Sequence, residues 1–107
     1  MNSRCLRTAI ATAILASLGA GGFPPSPAVA DDLYDLGEYL SGDCTPCHQL
    51  HGQSKGIPAI FGWDAESFVM VMQAYKEGER NHELMQTVAR RFSDEEFQAL
   101  AAYFSKQ

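Results

Sequence analysis

The chain has no second pair of cysteines, no long apolar run, no surplus of positive charge and no stretch in which polar and apolar residues alternate. Each absence removes a class. A structural zinc site takes about four ligands, and no Cys pair follows Cys44 and Cys47. The apolar run at residues 8–18 is shorter than the ~18–20 residues that a membrane span needs. Eight Lys and Arg stand against 13 Asp and Glu, a net charge of −5, which excludes nucleic acid, since that partner wants a basic face. Without a period of two there is no case for strands, and an all-α fold is expected. The chain offers no catalytic base, activated nucleophile or substrate pocket that its sequence makes visible.

What is present is Cys44-Thr45-Pro46-Cys47-His48, the C-x-x-C-H pattern of covalent haem attachment. The spacing follows from the chemistry. Residues three and four apart share one face of a helical turn, so Cys44 and Cys47 can both reach one porphyrin edge and form thioethers with its two vinyl groups. His48, four residues after Cys44, can aim an imidazole nitrogen at the iron. A thioredoxin-like redox pair would need a βαβ setting, which the flanks do not provide. A simple disulfide between Cys44 and Cys47 leaves His48 unexplained.

The first thirty residues read as a secretory signal. Arg4 and Arg7 precede the apolar run, Pro24, Pro25 and Pro27 break it, and Ala28-Val29-Ala30 is a small-x-small cleavage site. Cys5 lies at the start of this segment, away from any cleavage site. The 107 residues less these 30 leave a domain of 77, residues 31–107, with six basic and 13 acidic side chains and a charge of −7. A chain of this size is short of apolar core, and a covalently held haem would supply surface for a core to close around. Export fits the attachment of haem c outside the cytoplasm, in the periplasm, and no membrane contact is expected once the signal is removed. The acidic surface is a solvated face, or steers the protein to a basic partner patch.

Residues 31–41 form a first expected helix, with Asp31 or Asp32 as N-cap and Leu33, Leu36 and Leu40 on one stripe. Gly37 beside that stripe either marks a close helix crossing or loosens a short helix at about 1 kcal/mol against Ala. Residues 51–62 read as a loop, broken by Gly52, Gly56, Pro58 and Gly62. Ile57, Pro58, Ile60 and Phe61 would cover one haem face, and the neighbourhood of Pro58 can offer His48 a carbonyl that fixes the imidazole. His51 is too close to His48 to serve as the opposing ligand. Asp64 caps a helix over 65–75, with Phe68, Val71, Met72 and Tyr75 on its buried stripe, so Met70 and Met72 are core or surface residues rather than ligands. Residues 82–92 are a short helical or irregular piece carrying Met85, Val88, Ala89 and Phe92 on one face. Ser93 and Glu96 form a capping box, and Phe97, Leu100, Ala101 and Phe104 build a last amphipathic helix. A second iron ligand must come from far along the chain; Met85, His82 and an open sixth position are the alternatives.

The motif, the loop 52–58, the run Phe68-Val69-Met70-Val71-Met72-Gln73-Ala74-Tyr75-Lys76-Glu77-Gly78-Glu79, Leu84-Met85, the segment 92–97 and Leu100-Ala101-Ala102-Tyr103-Phe104 together resemble the class I c-type cytochromes, most of all the cytochrome subunit of flavocytochrome c sulfide dehydrogenase. The resemblance spans most of residues 31–107. It implies a small class I fold, with the N- and C-terminal helices packed across each other around one covalent haem c. It implies Cys44 and Cys47 as thioethers and His48 and Met85 as axial ligands. It also implies a periplasmic electron-transfer subunit that accepts electrons from a flavoprotein (FAD) partner oxidising sulfide and passes them to a downstream acceptor. A free-standing soluble electron shuttle is the alternative; a haem enzyme or gas sensor with an open position is the third. Two features depart from the pattern. There is one haem motif where the sulfide dehydrogenase cytochrome often has two haem domains. Arg91 stands where many relatives have Gly before the aromatic matched by Phe92. Arg90 and Arg91 either neutralise a haem propionate or complement a helix C-terminus.

Overall fold

The computed structural model describes residue 22, residues 26–49 and residues 56–107. Among them are four helices, α1 Pro27–Ser41, α2 Ala65–Glu77, α3 Glu83–Ala89 and α4 Asp94–Phe104, and no strand. The calls on His51 and on residues 50–55 fall outside the described residues, as does most of the expected signal segment.

The last helix forms as its sequence dictates. Ser93 Oγ accepts from Glu96 N at 3.1 Å and the Glu96 carboxylate accepts from Ser93 N at 2.7 Å, so the capping box satisfies two free N–H groups reciprocally. Phe97, Leu100 and Phe104 are fully buried and Ala101 nearly so. Each large side chain removed from water contributes about 1.5–3 kcal/mol, which makes α4 the spine of the core. α1 lies across it and α2 packs beside it.

Gly37 sets the crossing of α1 and α4. A Cβ at this position would overlap the Ala99 carbonyl oxygen and lie 2.9 Å from Tyr103 Cβ, so backbone meets backbone there and no other side chain fits. This close approach also moves the buried face of α1. Gly37 and Ser41 are buried, Leu33 and Leu40 half-buried, and Leu36 is 37% exposed; the expected leucine stripe is displaced because the narrow residue, not the apolar one, decides where α4 can come in. α1 begins at Pro27 rather than at residue 31, since Pro at the first helical position carries a preset φ and needs no hydrogen bond. Gln107 Nε2 donates to Tyr34 OH at 3.0 Å and the Tyr34 and Tyr103 rings stand 5.4 Å apart, which ties the end of the chain to α1.

α2 starts where Asp64 Oδ2 accepts from Ser67 N at 2.9 Å and stops where Gly78 turns left-handed at φ 81°. That backbone bond holds the Asp64 carboxyl below its ordinary range. Phe68 and Met72 are buried, Met70 is 62% exposed, in keeping with the core-or-surface reading of both methionines. Lys76 pairs with Asp94 at 3.0 Å over the ring of Phe97 and pins α2 to α4. The loop before α2 is fastened by Gly62 N donating to Phe104 O at 2.8 Å, and Phe61 meets Phe104 edge-on at 5.3 Å.

Candidate functional site

The turn after α1 keeps winding. Cys44 N and Thr45 N donate to Ser41 O, Cys47 N and His48 N donate to Cys44 O. These three- and four-residue bonds bring Cys44, Cys47 and His48 to one side, as the spacing requires. Cys44 is buried and Cys47 exposed, and the two are not joined in a disulfide. Burial, then the Asp43 carboxylate, pushes the Cys44 thiol up to about 11. Among the described residues no group of three or more His, Cys, Asp and Glu gathers as a metal site would require.

His48 Nδ1 lies 2.7 Å from the Pro58 carbonyl oxygen. A carbonyl only accepts, so the imidazole donates from Nδ1 and keeps its lone pair on Nε2, the state a metal ligand needs. The expected neighbourhood of Pro58 therefore does supply a carbonyl, and it is that of Pro58 itself.

A cavity of about 610 Å³ opens beside this turn, inside the ~300–1,000 Å³ range of sites that bury a cofactor. Cys44, Cys47 and His48 line it, with Ile57, Pro58 and Ile60 from the loop, Phe68, Val71, Met72 and Tyr75 from α2, and Leu84, Met85 and Val88 from α3. Two thiols, an imidazole with a ligating nitrogen, a thioether and an apolar lining thus share one space, and this donor set fits a haem bound through thioethers. Phe61, expected against the haem, packs on Phe104 instead.

His82 also lines the cavity, but its chemistry differs from that of His48. It is the N-cap of α3, and its Nδ1 accepts from Met85 N at 3.3 Å. An imidazole that accepts at Nδ1 carries its hydrogen on Nε2 and has no second lone pair to give iron. Met85 is half-buried and packs against the core.

Both arginines are exposed, and Arg90 stands at the C-terminus of α3, as the helix-end expectation has it. Arg91 reaches back to Asp43, 3.3 Å away, beside Cys44; Arg90 ends α3 in a right-handed conformation and contacts Gln86 at 3.5 Å. Because Arg90 closes the helix without a left-handed residue, the chain tolerates Arg91 in place of Gly. The arginine at the cavity is Arg80, which the sequence reading passed over. Its Nε donates to Tyr75 OH at 2.9 Å and its guanidinium stands 5.2 Å from the Tyr75 ring centroid. Trp63 is a second lining residue the sequence reading left unassigned. Arg80 is the one cation between Lys76 and Arg90, and that isolation near Met85 was the available signal.

No family model matches the chain. It is 34% identical over 79 residues, 73% of its length and 72% of the relative's, to the cytochrome subunit of sulfide dehydrogenase of Chlorobaculum tepidum. It is 36% identical over 76 residues to cytochrome c-554(548) of Halomonas halodenitrificans, with 66% of this chain and 92% of that one covered. Cytochrome c-553 of Nitratidesulfovibrio vulgaris is 32% identical over 99 residues, covering 87% and 93%. The solved structure of reduced recombinant cytochrome c4 from Pseudomonas stutzeri superposes with a TM-score of 0.63 at 26% identity, over 70% of this chain and 48% of that one, so the chain spans about half of cytochrome c4. With the four helices of its described residues and these relatives, the chain belongs to the c-type cytochromes, of the small all-α class I fold, and its work is electron transfer.

Proposed function

We propose that this cytochrome is a periplasmic, monohaem electron-transfer subunit, residues 31–107 after removal of the signal 1–30, that accepts electrons from a flavoprotein sulfide dehydrogenase and hands them to a downstream carrier. The observation that carries the haem reading is that Cys44, Cys47, His48 and Met85 line one cavity, with His48 held by Pro58 O. In this reading Cys44 and Cys47 would anchor the haem through thioethers, and His48 Nε2 and the Met85 sulfur would ligate its iron. When bound, the haem supplies a one-electron ferric–ferrous couple. The chain's part is to fix the potential and exclude water. A neutral sulfur from Met85 favours the ferrous state over a second imidazole and raises the potential. The Pro58 carbonyl fixes the His48 ring and its basicity. Ile57, Ile60, Phe68, Val71 and Met72 give the low dielectric, and Arg80 supplies positive charge for the carboxylates that a haem carries.

The flavoprotein partner is supported by the sulfide dehydrogenase cytochrome subunit at 34% identity. Export is supported by the N-terminal pattern, and no helix among the described residues is long and apolar enough to cross a membrane. A free-standing shuttle is the second reading, favoured by the two relatives named only as cytochromes, of which the chain covers 92% and 93%. Purification from the native host separates the two. A flavin-containing chain held in stoichiometric complex is the expected result; a protein that elutes alone and reduces several partners equally well leaves the shuttle.

A further inference from the structure

We propose that His82 is a positioning residue for Met85: its imidazole, braced on Tyr75, caps the first turn of α3 and sets how often the Met85 sulfur leaves the iron. This rests on the reading of Met85 as the second axial ligand.

The argument begins with how little else holds α3. It has seven residues, where isolated helices shorter than ~12–15 are marginal. Only Ala89 of the seven is fully buried, Met85 and Val88 pack against the core, and among the described helices α3 rests on α2. Its position is therefore decided at its ends. The C-terminal end is closed by backbone bonds, Arg90 N to Gln86 O, Arg91 N to Val88 O and Phe92 N to Ala89 O, with Phe92 in the core. At the N-terminal end one backbone bond, Gln86 N to His82 O at 2.9 Å, is joined by side-chain caps. His82 Nδ1 accepts from Met85 N, and Gln86 Nε2 donates to Arg80 O at 3.0 Å. The N–H that His82 captures is that of Met85 itself, so the cap acts directly on the backbone that aims the sulfur.

The cap is in turn tied to α2. The His82 ring stands edge-on to Tyr75 with centroids 6.4 Å apart. Tyr75 is also held by Arg80, which donates to its hydroxyl and lies over its ring, while Arg80 N donates to Ala74 O at 3.0 Å. Ser, Thr, Asp and Asn are the usual N-caps, and each is too short to cap Met85 and also lean on Tyr75. Histidine does both, and so couples the ligand-bearing helix to the wall of the cavity.

The test uses the exported holoprotein and imidazole as the probe, because imidazole reaches ferric iron at this position only when Met85 has left. The apparent affinity then scales with the open fraction. His82→Ala is expected to raise that affinity about five- to thirty-fold and to weaken the near-infrared sulfur-to-iron charge-transfer band. His82→Asn, which restores a cap, is expected to return most of both. Should His82→Ala fail to accumulate, His82→Gln, which is not among the preferred caps, carries the same expectation. Met85→Ala serves as the reference. If it gains imidazole affinity and loses the band while His82→Ala (or →Gln) matches the native protein, the positioning role is overturned and the ligand reading stands. If the Asn and Ala variants loosen equally, the cap is not the mechanism. If Met85→Ala binds imidazole no better than the native protein, the ligand reading fails and takes this proposal with it.

Discussion

His48 and His82 line the same cavity, and their Nδ1 atoms act in opposite senses. One donates to the carbonyl of Pro58, the other accepts from the N–H of Met85. The first imidazole is left with a lone pair at Nε2, the second with a hydrogen there. The comparison extends to the regions that carry them. The turn 44–48 continues the winding of α1, and α1 is locked on α4 by backbone contact at Gly37. The segment around Met85 is a seven-residue helix on a side-chain cap, resting on α2. One side of the proposed haem site is built to stay, the other to yield, and the difference lies in how each histidine spends one nitrogen.

The largest expected effect comes from removing the fixed side. His48→Ala, or Cys44→Ala with Cys47→Ala, should leave almost no covalently loaded protein, read by intact mass and by colour in the exported fraction. Next is replacement on the yielding side. Met85→His should give a folded, coloured protein whose midpoint potential falls, within the ~0.8 V that axial ligands span, and whose sulfur charge-transfer band is lost.

Gly37→Ala probes the fixed side through its scaffold. The new methyl meets the Ala99 carbonyl, and overpacking of this kind costs about 1–3 kcal/mol, so the melting temperature should drop by roughly 4–8 °C per kcal/mol. The charge-transfer band at moderate temperature should not move, because Met85 is held elsewhere. A Gly37→Ala variant that melts normally but loses the band would break the comparison.

The smallest effect is at α2, the wall both regions share. The Asp64 carboxyl is held below its ordinary 3.8 by the Ser67 N–H. A depressed folded value means that its contribution is present above 3.8 and is lost as pH falls through the folded value. In chemical denaturation at a series of pH values, native stability should therefore fall slightly more steeply below 3.8 than that of Asp64→Ala, which is the less stable of the two at neutral pH and converges with the native protein in acid.

What could be read in the sequence was what depends on near neighbours. Cys44, Cys47 and His48 are fixed by spacing on one turn, and the Ser93–Glu96 box and the stripe of α4 by period, so site and spine were both visible. The face of α1 was half visible: Gly37 stood out, but Leu36 was taken into the core because hydrophobicity alone does not reveal that a backbone will approach. His82 was read as a competing ligand, since histidine is not a usual cap and its role exists only where Tyr75 and Met85 are brought beside it. Arg80 escaped for the same reason, its partner Tyr75 having been assigned to the core stripe. The arginines that drew attention, Arg90 and Arg91, turn to Gln86 and Asp43.

The near-infrared spectrum of the ferric exported protein, beside that of Met85→Ala, tests the account most directly. A sulfur-to-iron charge-transfer band present in the native protein and absent from the variant is the expected result. A colourless native protein, or a band that survives the loss of Met85, would contradict it.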